Sequence, residues 1–287
     1  MAMTTDPQTL TRLRRDIDRI DDRLHDLLQE RAALVERIAA AKAGENTVAL
    51  RPGREAEILR RLVERHQGCF PKAALVRIWR EIMGALVGIQ GPFTVAVCQP
   101  GGGSGFVELA RDHFGVVAPQ TVFPSPGHVV RQVADGIAAV GVVPIPAAAE
   151  DDPWWPSLAA DSINLPRIVA RLPVLAVDHV PGKPEPLEGY VIAARDHDDT
   201  GDDRTLVVVE TVPDVSRDRL RALLSGVSLD CTGVVATHRG GEYWLHLAEV
   251  AGHLTDADAR LTALASSQKD AVRHLRVIGG YPVPLPV

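Results

Sequence analysis

Residues Thr9–Lys42, TLTRLRRDIDRIDDRLHDLLQERAALVERIAAAK, set the fold of the N-terminal third of the chain. Apolar residues recur at Leu13, Ile17, Ile20, Leu24, Leu27, Leu28, Leu34, Val35 and Ile38, which is helical spacing with no Gly or Pro inside. A helix of about 34 residues rising about 1.5 Å per residue is about 51 Å long, too long for one small domain to cover. Self-association is the expected way to bury its stripe.

Two cations interrupt that stripe. At about 100° per residue, Arg31 lies about 20° from Ile20 and Lys42 about 20° from Arg31, so both fall on the face that should be buried. Such cations either snorkel, pair with a carboxylate from another helix, or hold an anionic ligand. Arg14 is turned about 100° away from Arg31. It is an ordinary solvated arginine or serves the same ligand from another copy of the helix.

Outside this stretch the totals are those of a globular chain: 287 residues, 46% hydrophobic, 24% charged, net charge −6. There is room for two or three domains. The acidic balance and dispersed basic residues give no general nucleic-acid affinity. No run approaches a membrane span and the N-terminus has no apolar leader core, so the cytoplasm is the expected location. Cys69, Cys98 and Cys231 are odd in number and far apart, which argues against a disulfide framework or a zinc site. No cofactor or metal is expected.

After Lys42, the breakers Gly44, Asn46, Pro52 and Gly53 end the helix. A second helix is predicted over Arg54–His66, with Ile58, Leu59, Leu62 and Val63 on one face. A third, from Lys72 to Gln90, carries Leu75, Ile78, Trp79, Ile82, Met83, Leu86 and Ile89. Gln90 follows the 79, 83, 86 line, as a neutral amide ending that stripe or as a frayed helix end.

LRRDIDRIDDRLHDLLQERAALVERIAAAK, then RPGREAEILRRL and IWREIM, resembles the all-helical chorismate mutase domain, found alone or fused to prephenate dehydratase or dehydrogenase. The resemblance implies an intertwined homodimer in which each pocket takes one arginine from the partner's long helix. Arg14 stands at that partner position, and Arg31 and Lys42 at the own-chain positions. Arg54 and Glu55 match the second-helix Arg-Glu pair and Gln90 the third-helix amide, while Arg51 fills a variable pocket position. Leu86 stands where many members carry a small polar residue.

The chemistry implied is the pericyclic conversion of chorismate to prephenate, with no proton transfer and no nucleophile. A site for it must hold a compact conformer of a dicarboxylate and stabilise charge growing on an ether oxygen. Guanidinium groups bind carboxylates bidentately, which suits Arg14, Arg31 and Arg51. Lys42 and Gln90 are assigned to the ether oxygen, Glu55 to the hydroxyl and Arg54 to substrate binding.

Composition changes at Gly91-Pro92. FTVAVCQP reads as a buried strand, GGGSGFVELARDHFG as a glycine turn into a helix, and QTVFPSPGHVVRQVADGIAAVGVVPIP as strand, helix and strand. This alternation predicts βαβ units and a parallel sheet. GGGSG lacks both GxGxxG and the Walker lysine, so a tight turn is the plainer reading. The segment resembles the first, periplasmic-binding-like lobe of prephenate dehydratase. PAAAEDD replaces that family's Asn-Ser pair, the second lobe is absent, and Glu188-Gly189-Tyr190 stands where Thr-Arg-Phe is expected. The resemblance therefore implies a truncated lobe without dehydration.

DHDDTGDD, residues 196–203, reads as a solvated linker, with metal binding the less favoured alternative. TLVVVETV, DRLRALLSG, CTGVVATHRGGEYWLHLAEVAG, DADARLTALASSQ and HLRVIGGYP then give a βαββαβ order resembling an ACT regulatory domain. PDVSRDRL lacks that module's glycine, and ATHRG stands in place of Ser-Arg-Pro. His238 and Arg239 either face a ligand or sit exposed at a hairpin tip.

The expected organisation is multidomain: an all-α dimerisation domain over 8–91, an α/β lobe over 92–197 and an α+β ACT-like domain over 203–287. Three functions fit this order. The first is a chorismate mutase with a catalytically dead, structural or regulatory C-terminal part. The second is a bifunctional mutase-dehydratase, and the third a non-enzymatic amino-acid sensor. An aromatic amino acid is an open effector in each.

Overall fold

The computed structural model describes residues 7–41, 50–101, 103–148, 150, 152–162, 164–176 and 186–286. These residues divide into two compact bodies, one of 7–41 with 86–91 and the other of 50–85 with those described from 92 to 286.

The first body is dominated by helix α1, Pro7–Ala41, 35 residues long. Good helix formers fill it and no breaker interrupts it. Leu13, Ile17, Ile20, Leu24, Leu27, Leu28, Leu34 and Ile38 are each 45 to 57% exposed in the single chain. Arg31, Ala32, Val35 and Ala39 are half-buried. An apolar stripe of this length left open to water is the signature of an interaction face.

In the second body, helix α2 spans Pro52–Arg65 and helix α3 begins at Lys72, running on to Ile89. Pro52 suits the first helical position, where its missing N–H would be unpaired in any case. Leu59 and Val63 of α2 pack with Val76 and Met83 of α3 and with Leu285 from the C-terminal end of the chain. Burying a Leu or Val of this kind is worth about 1.5–3 kcal/mol. On α3 the buried line is Val76, Arg80 and Met83, at helical spacing, whereas Ile78 and Ile89, expected on the inner face, are largely exposed.

The sheet begins with β1, Val95–Cys98, whose four residues are buried, as a continuous apolar run predicts for a covered parallel strand. It pairs parallel with β2, Gln120–Phe123, and β3, Val140–Pro144. Helices α4, Gly105–Phe114, and α5, Pro126–Ala134, form the crossovers. The parallel expectation ends there. β5, Gly189–Ala193, runs antiparallel to both β3 and β4, Arg167–Leu172. The last segment gives β6, Asp203–Thr211, α6, Arg217–Gly226, β7, Cys231–Arg239, β8, Trp244–Ala251, α7, Ala259–Ser267, and β9, Val272–Pro282. The helical N-terminal region is thus followed by a mixed α/β sheet of nine strands, ordered β2-β1-β3-β5-β4-β9-β6-β8-β7.

The two halves of that sheet meet where β4 pairs parallel with β9 at Ile168 and Gly279. Gly279 has φ +128°, and a Cβ there would lie 2.1 Å from the Ile168 carbonyl oxygen. Only glycine permits both the conformation and the approach. A 3₁₀ turn, Trp155–Ala159, covers the junction, with Trp154, Trp155 and Leu158 in one core with Ile192, Leu206, Ile278 and Tyr281. A second core lies between the β6–β9 strands and α6 and α7, around Leu220, Leu224, Leu261 and Leu264.

Candidate functional site

The expected substrate residues fall in both bodies. In the first, Arg14 is exposed on α1 and Arg31 is half-buried. Gln90 is half-buried, and its Nε2 donates to the Leu86 carbonyl at 3.3 Å, so the amide folds back along its own helix. Lys42 lies outside the described residues.

In the second body the N-terminal turn of α2 carries Arg51, Arg54 and Glu55. Arg51 occupies the cap position without a side-chain cap bond and is exposed. Arg54 is exposed and pairs with Glu57 at 2.8 Å. Glu55 is only 7% exposed. Its Oε2 accepts from Arg80 Nη1 at 2.6 Å, and Arg80 Nε donates to the His113 carbonyl at 2.7 Å. A carboxylate in the first turn of a helix also gains from the helix dipole.

Arg80, within IWREIM, is 3% exposed, a burial to which no expected role corresponds. The signal for it was present, since Arg80 continues the line of Val76 and Met83 at i+4 and i−3. An arginine on a buried line demands an anion. Beside it, His113 is held well below the usual histidine range by burial and by the Arg80 charge, and so is neutral.

Residues 196–203, expected as a solvated linker, are ordered by polar contacts. Asp203 is buried and accepts from both the N–H and the hydroxyl of Thr200, at 2.8 and 2.7 Å. His197 is buried against His253, ring centroids 4.5 Å apart. Burial, then the His253 charge, lowers its pKa to about 4.

Where Thr-Arg-Phe was expected, Glu188 makes two bonds of 3.0 Å to Arg171 Nη2. Arg171 Nη1 donates to the Tyr281 hydroxyl at 3.2 Å, and Tyr281 donates to Glu249. Tyr190 is buried against Tyr281. At the glycine turn, the Phe106 N–H donates to Gln99 Oε1 at 3.0 Å, so a side chain takes a donor that an anion would use.

An open groove of about 830 Å³ lies at the N-terminal end of α6, lined among others by Ser216, Arg217, His238, Arg239, Trp244 and His246. The Arg239 guanidinium sits 4.7 Å over the Trp244 ring. His246 is buried between the hydroxyls of Thr211 and Thr237, each 3.2 Å away. Burial, then Arg217 and Arg239, lowers its pKa to about 4, so it is neutral. His238 and Arg239 therefore border a groove.

Cys69, Cys98 and Cys231 are free thiols, and burial pushes Cys98 up to about 11. Among the described residues no group of three or more His, Cys, Asp or Glu is placed to hold a metal ion, and no helix is long and apolar enough to cross a membrane.

Residues 13–91 match the family model described as Chorismate mutase type II. Over 151 residues the chain is 33% identical to the bifunctional chorismate mutase/prephenate dehydratase of Pseudomonas aeruginosa, covering 50% of this chain and 41% of that protein. A protein of the same description from Aquifex aeolicus is 36% identical over 143 residues, covering 48% and 39%. The chain thus spans about two fifths of the length of the curated relatives it matches. The prephenate dehydratase of Arthrobacter aurescens in complex with L-Phe aligns at a TM-score of 0.43 and 15% identity, over 66% of this chain and 90% of that one.

Proposed function

From a chorismate mutase type II domain in residues 13–91, we propose that the chain converts chorismate to prephenate in aromatic amino-acid biosynthesis. In this proposal it works in the cytoplasm as a homodimer, with Arg14 acting from the partner copy. Arg14, Arg31 and Arg51 hold the carboxylates, Lys42 and Gln90 donate to the ether oxygen, Glu55 accepts from the hydroxyl through Oε1, and Arg54 supports binding. The observation that carries the reading is this set of cations, with Gln90 and Glu55, inside a segment that matches the family. The exposed stripe of α1 supports the dimer, because a second copy would bury it.

The proposed division is a mutase domain over 8–91, a truncated dehydratase-like lobe over 92–197 and an ACT-like domain over 203–287. The groove beside Trp244 is the proposed effector site, where Arg217 and Arg239 would meet the carboxylate of an aromatic amino acid.

A second reading, mutase and dehydratase together, is favoured by one observation. The 151 residues shared with the Pseudomonas relative are more than the mutase segment holds. Against it stands the sequence Glu188-Gly189-Tyr190 where Thr-Arg-Phe is expected, with Glu188 paired to Arg171 at 3.0 Å. One assay separates the readings: chorismate loss and phenylpyruvate appearance are followed independently, with and without phenylalanine or tyrosine. Chorismate loss alone supports the first reading, and phenylpyruvate the second. Binding of an amino acid with no turnover would leave a sensor, and unchanged rates for Arg31→Ala or Lys42→Ala would overturn the site.

A further inference from the structure

The first turn of α2 has no cap of its own, since Arg51 makes no side-chain bond at the cap position. A carboxylate 145 residues away does this work: Asp198 Oδ2 accepts from the Gly53 N–H at 3.1 Å. Asp198 is fixed in turn by Arg195, whose Nη2 bonds its Oδ1 at 2.7 Å and whose Nη1 donates to the Leu50 carbonyl. Further along the helix, Arg60 donates to the carbonyls of Thr200 and Asp202, at 2.9 and 3.4 Å. Gly53 is what allows the approach, because a Cβ there would lie 2.4 Å from Asp198 Cβ. From the other side, the Arg80–Glu55 pair holds the same turn. A carboxylate at a helix N-terminus also gains from the dipole, so this contact is favoured over water.

The turn so fixed carries the exposed Arg51 and Arg54 and the buried Glu55. We propose that Asp198 and Arg195 are positioning residues for this substrate-facing turn, so that the sheet body sets how tightly the mutase segment binds chorismate. The inference rests on the mutase reading. It gives residues 195–202 a role in substrate binding through the turn they anchor. Displacing binding groups by about 1 Å can cost up to about a hundredfold in efficiency, so releasing one of several anchors should cost about tenfold.

The test uses steady-state kinetics of the full chain with chorismate. Asp198→Ala is expected to raise KM about tenfold with kcat within about twofold, because the anchored side chains are binding groups. Asp198→Asn keeps an acceptor for the Gly53 N–H and should recover most of the loss. A merely structural role would lower the active fraction, and with it kcat, leaving KM in place. Gly53→Ala displaces Asp198 from the opposite side and carries the same expectation if Asp198→Ala does not fold. Hydrogen exchange of the residue 53–55 amides should quicken in the variants that raise KM. An active wild type with unchanged KM in Asp198→Ala and Gly53→Ala overturns the inference alone. A wild type that does not consume chorismate overturns the mutase reading beneath it.

Discussion

Arg80→Met should be among the most damaging single substitutions in the chain. The side chains of Arg80 and Glu55 are 4% and 10% exposed, and their N–O separation is 2.6 Å. Removing the guanidinium strands a buried carboxylate, and breaking a buried ion pair from one side costs about 3–5 kcal/mol. The His113 carbonyl loses its donor as well, worth about 1 kcal/mol more. Against a total stability of about 5–15 kcal/mol, a loss of about 5 kcal/mol is a large share. Glu55→Leu strands the arginine instead and should cost a similar amount. The double variant Arg80→Met/Glu55→Leu removes both charges and should recover most of the loss, since replacing a buried pair by apolar groups is often neutral. Urea unfolding followed by far-UV circular dichroism measures all three. A loss under about 1 kcal/mol for Arg80→Met, or two single losses that simply add in the double variant, would refute the argument.

Three further outcomes follow from particular residues. Gly279→Ala meets both a left-handed φ and the Ile168 carbonyl, so it should cost about 3 kcal/mol or more and lower the thermal midpoint; an unchanged midpoint would show that the β4–β9 junction yields freely. His197 and His246 have folded pKa values of about 4, below the usual 6.5, so unfolding takes up protons between these values. Their contribution is present above about pH 6.5 and is lost as pH falls towards 4, up to about 3 kcal/mol each, and His246→Gln should flatten the decline in urea midpoint over that range. Gln90 has no proton to lose, so kcat on chorismate should stay level from mildly acidic to neutral pH, whereas Gln90→Glu should lose activity as pH rises. A steep fall in the wild-type chain would remove Gln90 from the ether-oxygen role.

Local patterns carried much of the fold. The unbroken period of Leu13 to Ile38 specifies α1, the buried run Val95–Cys98 specifies β1, and the βαββαβ order of the last third is readable from its turns. Each depends on residues a few positions apart, whose spacing is fixed by backbone geometry. The proposed site residues come from residue types at a family's spacing, a match that needs no knowledge of what surrounds them. Their partners were not legible in this way.

Only the tertiary structure decided that Glu55 meets Arg80, that Asp198 caps a helix begun 145 residues earlier, and that Ile168 and Gly279 join two half-sheets into one. The acidic run 196–203 shows why. Its composition is that of a linker, but an aspartate is solvated or buried according to which donors lie opposite, and here these are the Gly53 and Thr200 amides and Arg195. Periodicity is a property of the chain by itself, whereas charge compensation is a property of whatever the fold brings alongside it.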